Sequence, residues 1–154
     1  LETAKALNRI NPDHIRLRTL QVVPGTGLAR RVRDGEFQPL GDEAILREIR
    51  LFIETLDGIA SEVVSDHVLN LLEELEGRLP GDRERMLGVI DRFFLLPGEE
   101  QLIFRLGRRM GIYRRLGDLA DRHTHDRLGR ILDGYRGNDQ GLEEDLARIR
   151  SGYI

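Results

Sequence analysis

The sequence predicts a mostly helical α/β chain: the closing β-α-β-α portion of a parallel β/α barrel, followed by a small helical bundle. Three observations carry this expectation. His14–Leu28, HIRLRTLQVVPGTGL, reads as a strand running into a Pro-Gly-Thr-Gly turn, and Glu62–His67, EVVSDH, reads as a shorter strand ending in Asp-His. A long amphipathic helix lies between them, the kind of crossover that joins parallel strands. From Asp82 onward the apolar spacing is helical throughout.

Taken in order, Glu2–Asn8 reads as the tail of a helix, stopped by Asn11-Pro12 because proline disfavours a helical residue before it. Ile15–Val23 alternates, with Ile15, Leu17 and Thr19 on one face and Arg16, Arg18 and Leu20 on the other, which predicts a strand. Pro24-Gly25-Thr26-Gly27 turns the chain into a short helix over Leu28–Asp34. Asp42–Asp57 is the clearest helix. Ile45, Ile49, Phe52, Ile53 and Leu56 form its apolar stripe, Gly41 or Asp42 can cap its start, and Gly58 stands past its end. Ile59–Ser65 is the second strand, and Val68–Leu75 is expected to be helical.

Asp82 opens a helix whose Met86, Ile90, Phe93 and Phe94 share a face, and Pro97-Gly98 ends it. Glu99–Met110 places acids in its first turn and Arg105, Arg108 and Arg109 in its last, as the helix dipole favours. Further helices fit Arg114–Asp121, His125–Tyr135 with Thr124 as cap, and Leu142–Arg150. Two units follow from this: residues 1–95, the barrel portion, and residues 96–154, an all-helical extension.

Two parallel strands do not make a stable sheet by themselves, because parallel sheets are buried on both faces and open edges invite pairing. The strands therefore need either the rest of a parent chain or another copy, and the isolated chain is expected to self-associate. The chain has 154 residues, 40% hydrophobic and 33% charged, with no cysteine. Zero cysteine excludes a disulfide frame, a thiolate metal site and a cysteine nucleophile within it, and fits a reducing cytoplasm. No apolar run approaches the ~20 residues of a membrane-spanning helix. Residues 1–100 carry 19 acidic and 13 basic side chains, residues 101–154 carry 8 and 11, and 23 of the 24 basic residues are Arg.

Residues 8–95 resemble the last strands and helices of the radical S-adenosylmethionine (radical SAM) barrel, in its coproporphyrinogen-oxidase-like and elongator-like bacterial group. The features that carry the resemblance are Ile15–Leu20 leading into Pro24-Gly25-Thr26, the Leu46-Arg47-Glu48-Ile49-Arg50 helix, Ser65-Asp66-His67, and Leu79-Pro80 before Asp82. The resemblance implies a parent enzyme with a [4Fe–4S] cluster on a Cys-x3-Cys-x2-Cys loop. That cluster donates an electron to S-adenosylmethionine, and the adenosyl radical produced abstracts hydrogen from substrate. None of those cysteines is here, so this chain would line the pocket without binding the cluster.

Barrel chemistry sits at the carboxy-terminal ends of strands. The resemblance then makes Pro24, Gly25, Thr26, Ser65, Asp66 and His67 candidate cofactor-binding residues, and Arg16 and Arg18 candidates for an anionic substrate. The alternative is that Pro24-Gly25 only shapes a turn, Asp66 caps a helix, and the arginines make solvent-side ion pairs. Asp121, His123, His125 and Asp126 have metal-ligand chemistry but lie in a polar connection, which favours an exposed loop. Nine arginines over 101–136 raise nucleic-acid binding, yet they spread around several helices with little aromatic interleaving, so solvated faces are expected instead. A second functional expectation is a non-catalytic helical module that binds a protein or RNA partner through 96–154.

Overall fold

The computed structural model describes residues 1–151, and the last three positions of the expected 96–154 extension lie outside them. Its elements are α1 (Glu2–Ile10), β1 (His14–Arg16), α2 (Gly27–Arg33), α3 (Asp42–Thr55), β2 (Glu62–Val64), β3 (Gly77–Arg78), α4 (Arg83–Leu95) and α5 (Gly98–Arg109). A 3-10 turn at Leu116–Ala120, α6 (Arg122–Asp133) and α7 (Asp139–Ser151) follow. The chain is thus mostly helical around a small mixed sheet, ordered β1-β2-β3.

β1 and β2 pair in parallel, with His14 opposite Glu62, Ile15 opposite Val63 and Arg16 opposite Val64. Both strands are shorter than the alternation predicts, because side chains take over the ladder at each end. At the amino-terminal end, Ala60 N–H donates 2.9 Å to the Asn11 side chain instead of to a neighbouring strand. At the other end Asn70 does the same for residues 17–19, as described below. β3 was not expected. It pairs antiparallel to β2, Glu62 opposite Arg78, after the chain doubles back through 65–76. Gly77 allows that return, since a Cβ there would stand 2.5 Å from the Asp82 Cβ.

β1 is an edge strand. Asp13 C=O and Leu17 N–H bond to β2, so by alternation the backbone groups of His14, Arg16 and Arg18 face the opposite, unpaired side.

α1 ends in a left-handed Asn11 (φ 47°), and Asn8 exchanges hydrogen bonds of 2.9 Å with Thr55 C=O and Asp57 N–H. These bonds tie the ends of α1 and α3 together and bring β1 beside β2. The apolar stripe of α3 is divided. Leu46, Ile53 and Leu56 are fully buried, whereas Ile45, Ile49 and Phe52 are only partly covered. Met86, Ile90 and Phe93 of α4 pack beneath α3, with the Phe93 and Phe104 ring centroids 6.0 Å apart. The same hydrophobic cluster continues through Leu128 of α6 to Leu142 and Leu146 of α7. Gly107 lets Tyr113 lie against α5, since a Cβ there would meet the ring at 2.4 Å.

The helices expected after Asp82 are present, with α6 capped by Asp121 rather than Thr124, and Arg114–Asp121 reduced to the 3-10 turn. Val68–Leu75 is not helical. Its carbonyls are taken by side chains elsewhere in the fold, which removes the i to i+4 bonds a helix needs. Among the described residues no helix is long and apolar enough to cross a membrane.

Candidate functional site at the strand ends

The carboxy-terminal ends of β1 and β2 are organised by a buried residue that the motifs do not include. Leu17 N–H still donates 2.9 Å to Val64 C=O, but the next rungs belong to the Asn70 carboxamide. Its Nδ2 donates to Leu17 C=O and to Ser65 Oγ, and its Oδ1 accepts from Thr19 N–H and Thr19 Oγ1, each at 2.9 Å. The amide has two donors and two acceptor positions, and all four are filled. Asn70 therefore stands where residue 66 would continue a parallel ladder. Residues 66–69 are released to loop outward over the strand ends.

Ser65, at the root of this loop, is 1% exposed, and its hydroxyl donates to Leu72 C=O at 2.9 Å. Asp66 is exposed and pairs with Arg16 at 2.9 Å. The structure therefore brings together one candidate cofactor residue and one candidate substrate residue, and they neutralise each other. Arg18 is exposed and makes no hydrogen bond or ion pair among the described residues. His67 is half-buried, and its Nδ1 is buried without a partner. Burial, then the nearby Arg18 guanidinium, holds the His67 imidazole below its ordinary value, with Asp66 opposing.

Pro24, Gly25 and Thr26 sit apart from that group. Thr26 Oγ1 donates 2.7 Å to Val23 C=O and accepts from Ala29 N–H at 3.2 Å, capping α2, while Gly25 (φ 83°) closes the turn. No hydrogen bond or ion pair among the described residues joins 24–26 to 65–67.

The loop over the strand ends is held from behind by α5. Arg108 Nε donates to Asn70 C=O and its Nη2 to Val68 C=O, each at 3.0 Å, and it pairs with Glu73 at 2.6 Å. Arg109 Nη1 donates to Leu69 C=O at 2.9 Å, and its Nη2 binds Asp42. Arg105 joins Asp42 at 3.2 Å to Glu143 in a two-pronged pair at 2.7 Å. These arginines were expected on a solvated helix end, yet they are 5, 3 and 2% exposed in chain order. The carbonyls of residues 68–70, left without helical donors, draw in Arg108 and Arg109, while the Asp42 and Glu143 carboxylates hold Arg105. Burial alone would raise the Asp42 carboxyl, but Arg109 and then Arg105 hold it below the usual carboxylate range.

Two sequence signals could have exposed this support. Asn70 interrupts the otherwise apolar run Val68–Leu72, the mark of a polar side chain with internal partners. Arg105, Arg108 and Arg109 also repeat at the i, i+3, i+4 spacing that defines one helix face.

Elsewhere, Asp121 caps α6 by accepting from His123 N–H and Thr124 N–H, and His125 binds Glu100 at 2.9 Å. Among the described residues no three His, Cys, Asp or Glu side chains gather as metal ligands would. What the strand ends present is an exposed Asp66 carboxylate paired with Arg16, beside a half-buried His67 whose Nδ1 is sealed from solvent without a partner. Compared with protein-family models, with curated proteins and with solved structures, the chain matches none.

Proposed function

We propose that this chain is the closing β-α-β-α portion of a radical SAM barrel, lining the mouth at which the parent enzyme binds S-adenosylmethionine and substrate. The observation that carries the reading is the parallel β1–β2 pair, bridged by α2 and α3, with polar groups at its carboxy-terminal ends and an open β1 edge where further strands would add. The sequence features at those ends are the ones that carry the resemblance.

The residues present differ in how well they fit the implied groups. A cluster does not fit, since the chain has no thiolate, so the cluster is assigned to the parent's other residues. Asp66, exposed beside Arg16, and the half-buried His67 ring are the groups left to meet the hydroxyls and amine of S-adenosylmethionine, whereas His67 Nδ1 itself is sealed, Ser65 is buried and engaged and Thr26 is spent on capping. When bound beside a cluster, S-adenosylmethionine supplies an adenosyl radical that takes hydrogen from substrate. The work of this chain is to present Asp66 and His67, and the Asn70 rung and the α5 arginines hold the loop that does so. On this reading the helices after residue 96 brace the mouth, with the parent's remaining chain as partner.

The test is the sequence preceding this segment in its gene, together with ligand titration on the full-length protein. A Cys-x3-Cys-x2-Cys loop upstream, and weaker S-adenosylmethionine or substrate binding in Asp66→Ala and His67→Ala at unchanged fold, are expected. An upstream sequence without that loop overturns the reading.

A further inference from the structure

We infer that α7 is a releasable strap, and that its Glu143 sets how firmly the loop over the strand ends is held by deciding how two arginines share Asp42. Among the described residues of α7 only Leu142 and Leu146 are buried. Glu143 and Arg150 stand two turns apart on one side of the helix, and both reach the ion network beneath it. The connection from α6 turns at Gly137 (φ 77°), a left-handed conformation that glycine adopts without cost.

The coupling runs through one buried carboxylate. Asp42 Oδ2 accepts from Arg105 Nε at 3.2 Å, and its Oδ1 accepts from Arg109 Nη2. Arg105 spends both of its Nη groups on Glu143 at 2.7 Å each, so its longer bond to Asp42 is the weaker attachment. Asp42 is thereby left to fix Arg109, whose Nη1 donates to Leu69 C=O in the loop at 2.9 Å. When Glu143 leaves, Arg105 stays buried with two empty Nη groups, which a desolvated guanidinium does not tolerate. The carboxylate it already touches is Asp42. A two-pronged pair there engages the oxygen that Arg109 uses, and Leu69 C=O loses its donor as Arg109 turns.

α7 also carries the means of its own release. Glu143 keeps 52% of its side chain exposed, so water competes for that half of the pair. Arg150 Nε is buried without a partner. Burial holds the Arg150 guanidinium below its ordinary value and Arg109 and Arg105 push the same way, while Asp42, 3.7 Å off, opposes. Docked α7 thus carries a charge that prefers water, set against the gain from Glu143 and two leucines. As control of a binding site, the inference rests on the reading of the strand ends given above. The coupling itself involves no cofactor, so the two fail separately.

The experiment is amide hydrogen exchange by NMR on the chain without added ligand. The reporter is Asn70 N–H, which donates 2.8 Å to His67 C=O inside the loop. Glu143→Gln is expected to quicken its exchange roughly three- to tenfold while the amides of α3 and α4 keep their rates. Adding Arg105→Gln removes the competitor for Asp42 and should return Asn70 to within about twofold of the natural rate. If that double variant does not fold, Arg105→Lys in the Glu143→Gln chain, which lacks the fork needed to hold both oxygens, should restore it in part. Arg150→Gln should slow exchange within α7 about threefold, since it removes the charge that opposes docking. An unchanged Asn70 amide in Glu143→Gln overturns the inference. So does quickening that spreads equally to α3 and α4, or that persists whatever replaces Arg105.

Discussion

Two rows of arginine meet opposite fates in this molecule. Arg16 and Arg18 lie on β1, where Arg16 keeps 53% of its side chain exposed beside a comparably open Asp66. Arg105, Arg108 and Arg109 lie on α5, nearly sealed from solvent. The residue type is the same, and the local charge patterns look alike. The difference is the acceptors each row meets. The α5 row faces carbonyls of residues 68–70, which have no helical donors, and a carboxylate at the start of α3. The β1 row faces an open edge and one exposed carboxylate. Arginine is buried here because backbone folded without its own hydrogen bonds requires a multi-pronged donor.

The comparison breaks most visibly at Asp42. Asp42→Asn leaves Arg105 and Arg109 facing each other with their shared charge removed, and breaking one member of a buried ion-pair network typically costs ~3–5 kcal/mol. Urea unfolding at neutral pH should record a loss of that size. Asp66→Asn, which breaks the exposed pair with Arg16, should change stability by at most about 1 kcal/mol. Similar losses at the two sites would mean that burial does not separate the rows.

Asn70→Ala tests why the 68–70 carbonyls are free at all. Without the carboxamide, Thr19 N–H and Leu17 C=O lose their partners, and unsatisfied buried groups cost about 1–3 kcal/mol each. A loss of at least about 2 kcal/mol in the same unfolding assay is expected, with faster amide exchange at Thr19. An unchanged Thr19 amide would show that the strand end does not need the side-chain rung.

These two residues also mark where the sequence stopped being readable. The α3 stripe, the Thr26 turn and the helical run after Asp82 follow from periodicity and capping chemistry, which are local. Asn70 and Arg109 act across 51 and 67 positions, on Thr19 and Asp42. Nothing within a helical window around Val68–Leu75 announces that its carbonyls will be claimed by α5, so helical spacing there was misleading. The strands were overextended for the same reason, since Asn11 and Asn70 replace rungs that alternation assigns to backbone. The placement of Asp66 and His67 just past the end of β2 was legible because strand ends are legible, whereas the early end of β1 before Arg18 and the pairing of Arg16 with Asp66 were not.

Acid sharpens the contrast without mutation. The folded Asp42 carboxyl lies below its unfolded value, so the unfolded chain takes up this proton first as pH falls. The stability that Asp42 contributes is therefore fully present above about pH 4, its unfolded range, and is lost as pH falls through the folded value. Chemical unfolding from pH 6 to pH 2 should decline more steeply for the natural chain than for Asp42→Asn. Parallel declines would place the acid sensitivity elsewhere.

The smallest effect lies at His67, where the exposed row acts through space. Burial and then Arg18 hold its imidazole below the ordinary value, while Asp66 pulls the other way. A histidine depressed in the fold stabilises above its unfolded range near pH 6.5 and loses that contribution as pH falls through the folded value. NMR titration of the His67 ring should give a midpoint below that of an unperturbed imidazole. Arg18→Gln should raise the midpoint, since it removes a like charge, and Asp66→Asn should lower it, since it removes a favourable one. The two shifts are opposite in sign though both substitutions neutralise one charge, which a general loosening of the loop would not produce. Shifts in the same direction would mean that His67 responds to solvent exposure alone, and that Arg18 does not face the strand-end group.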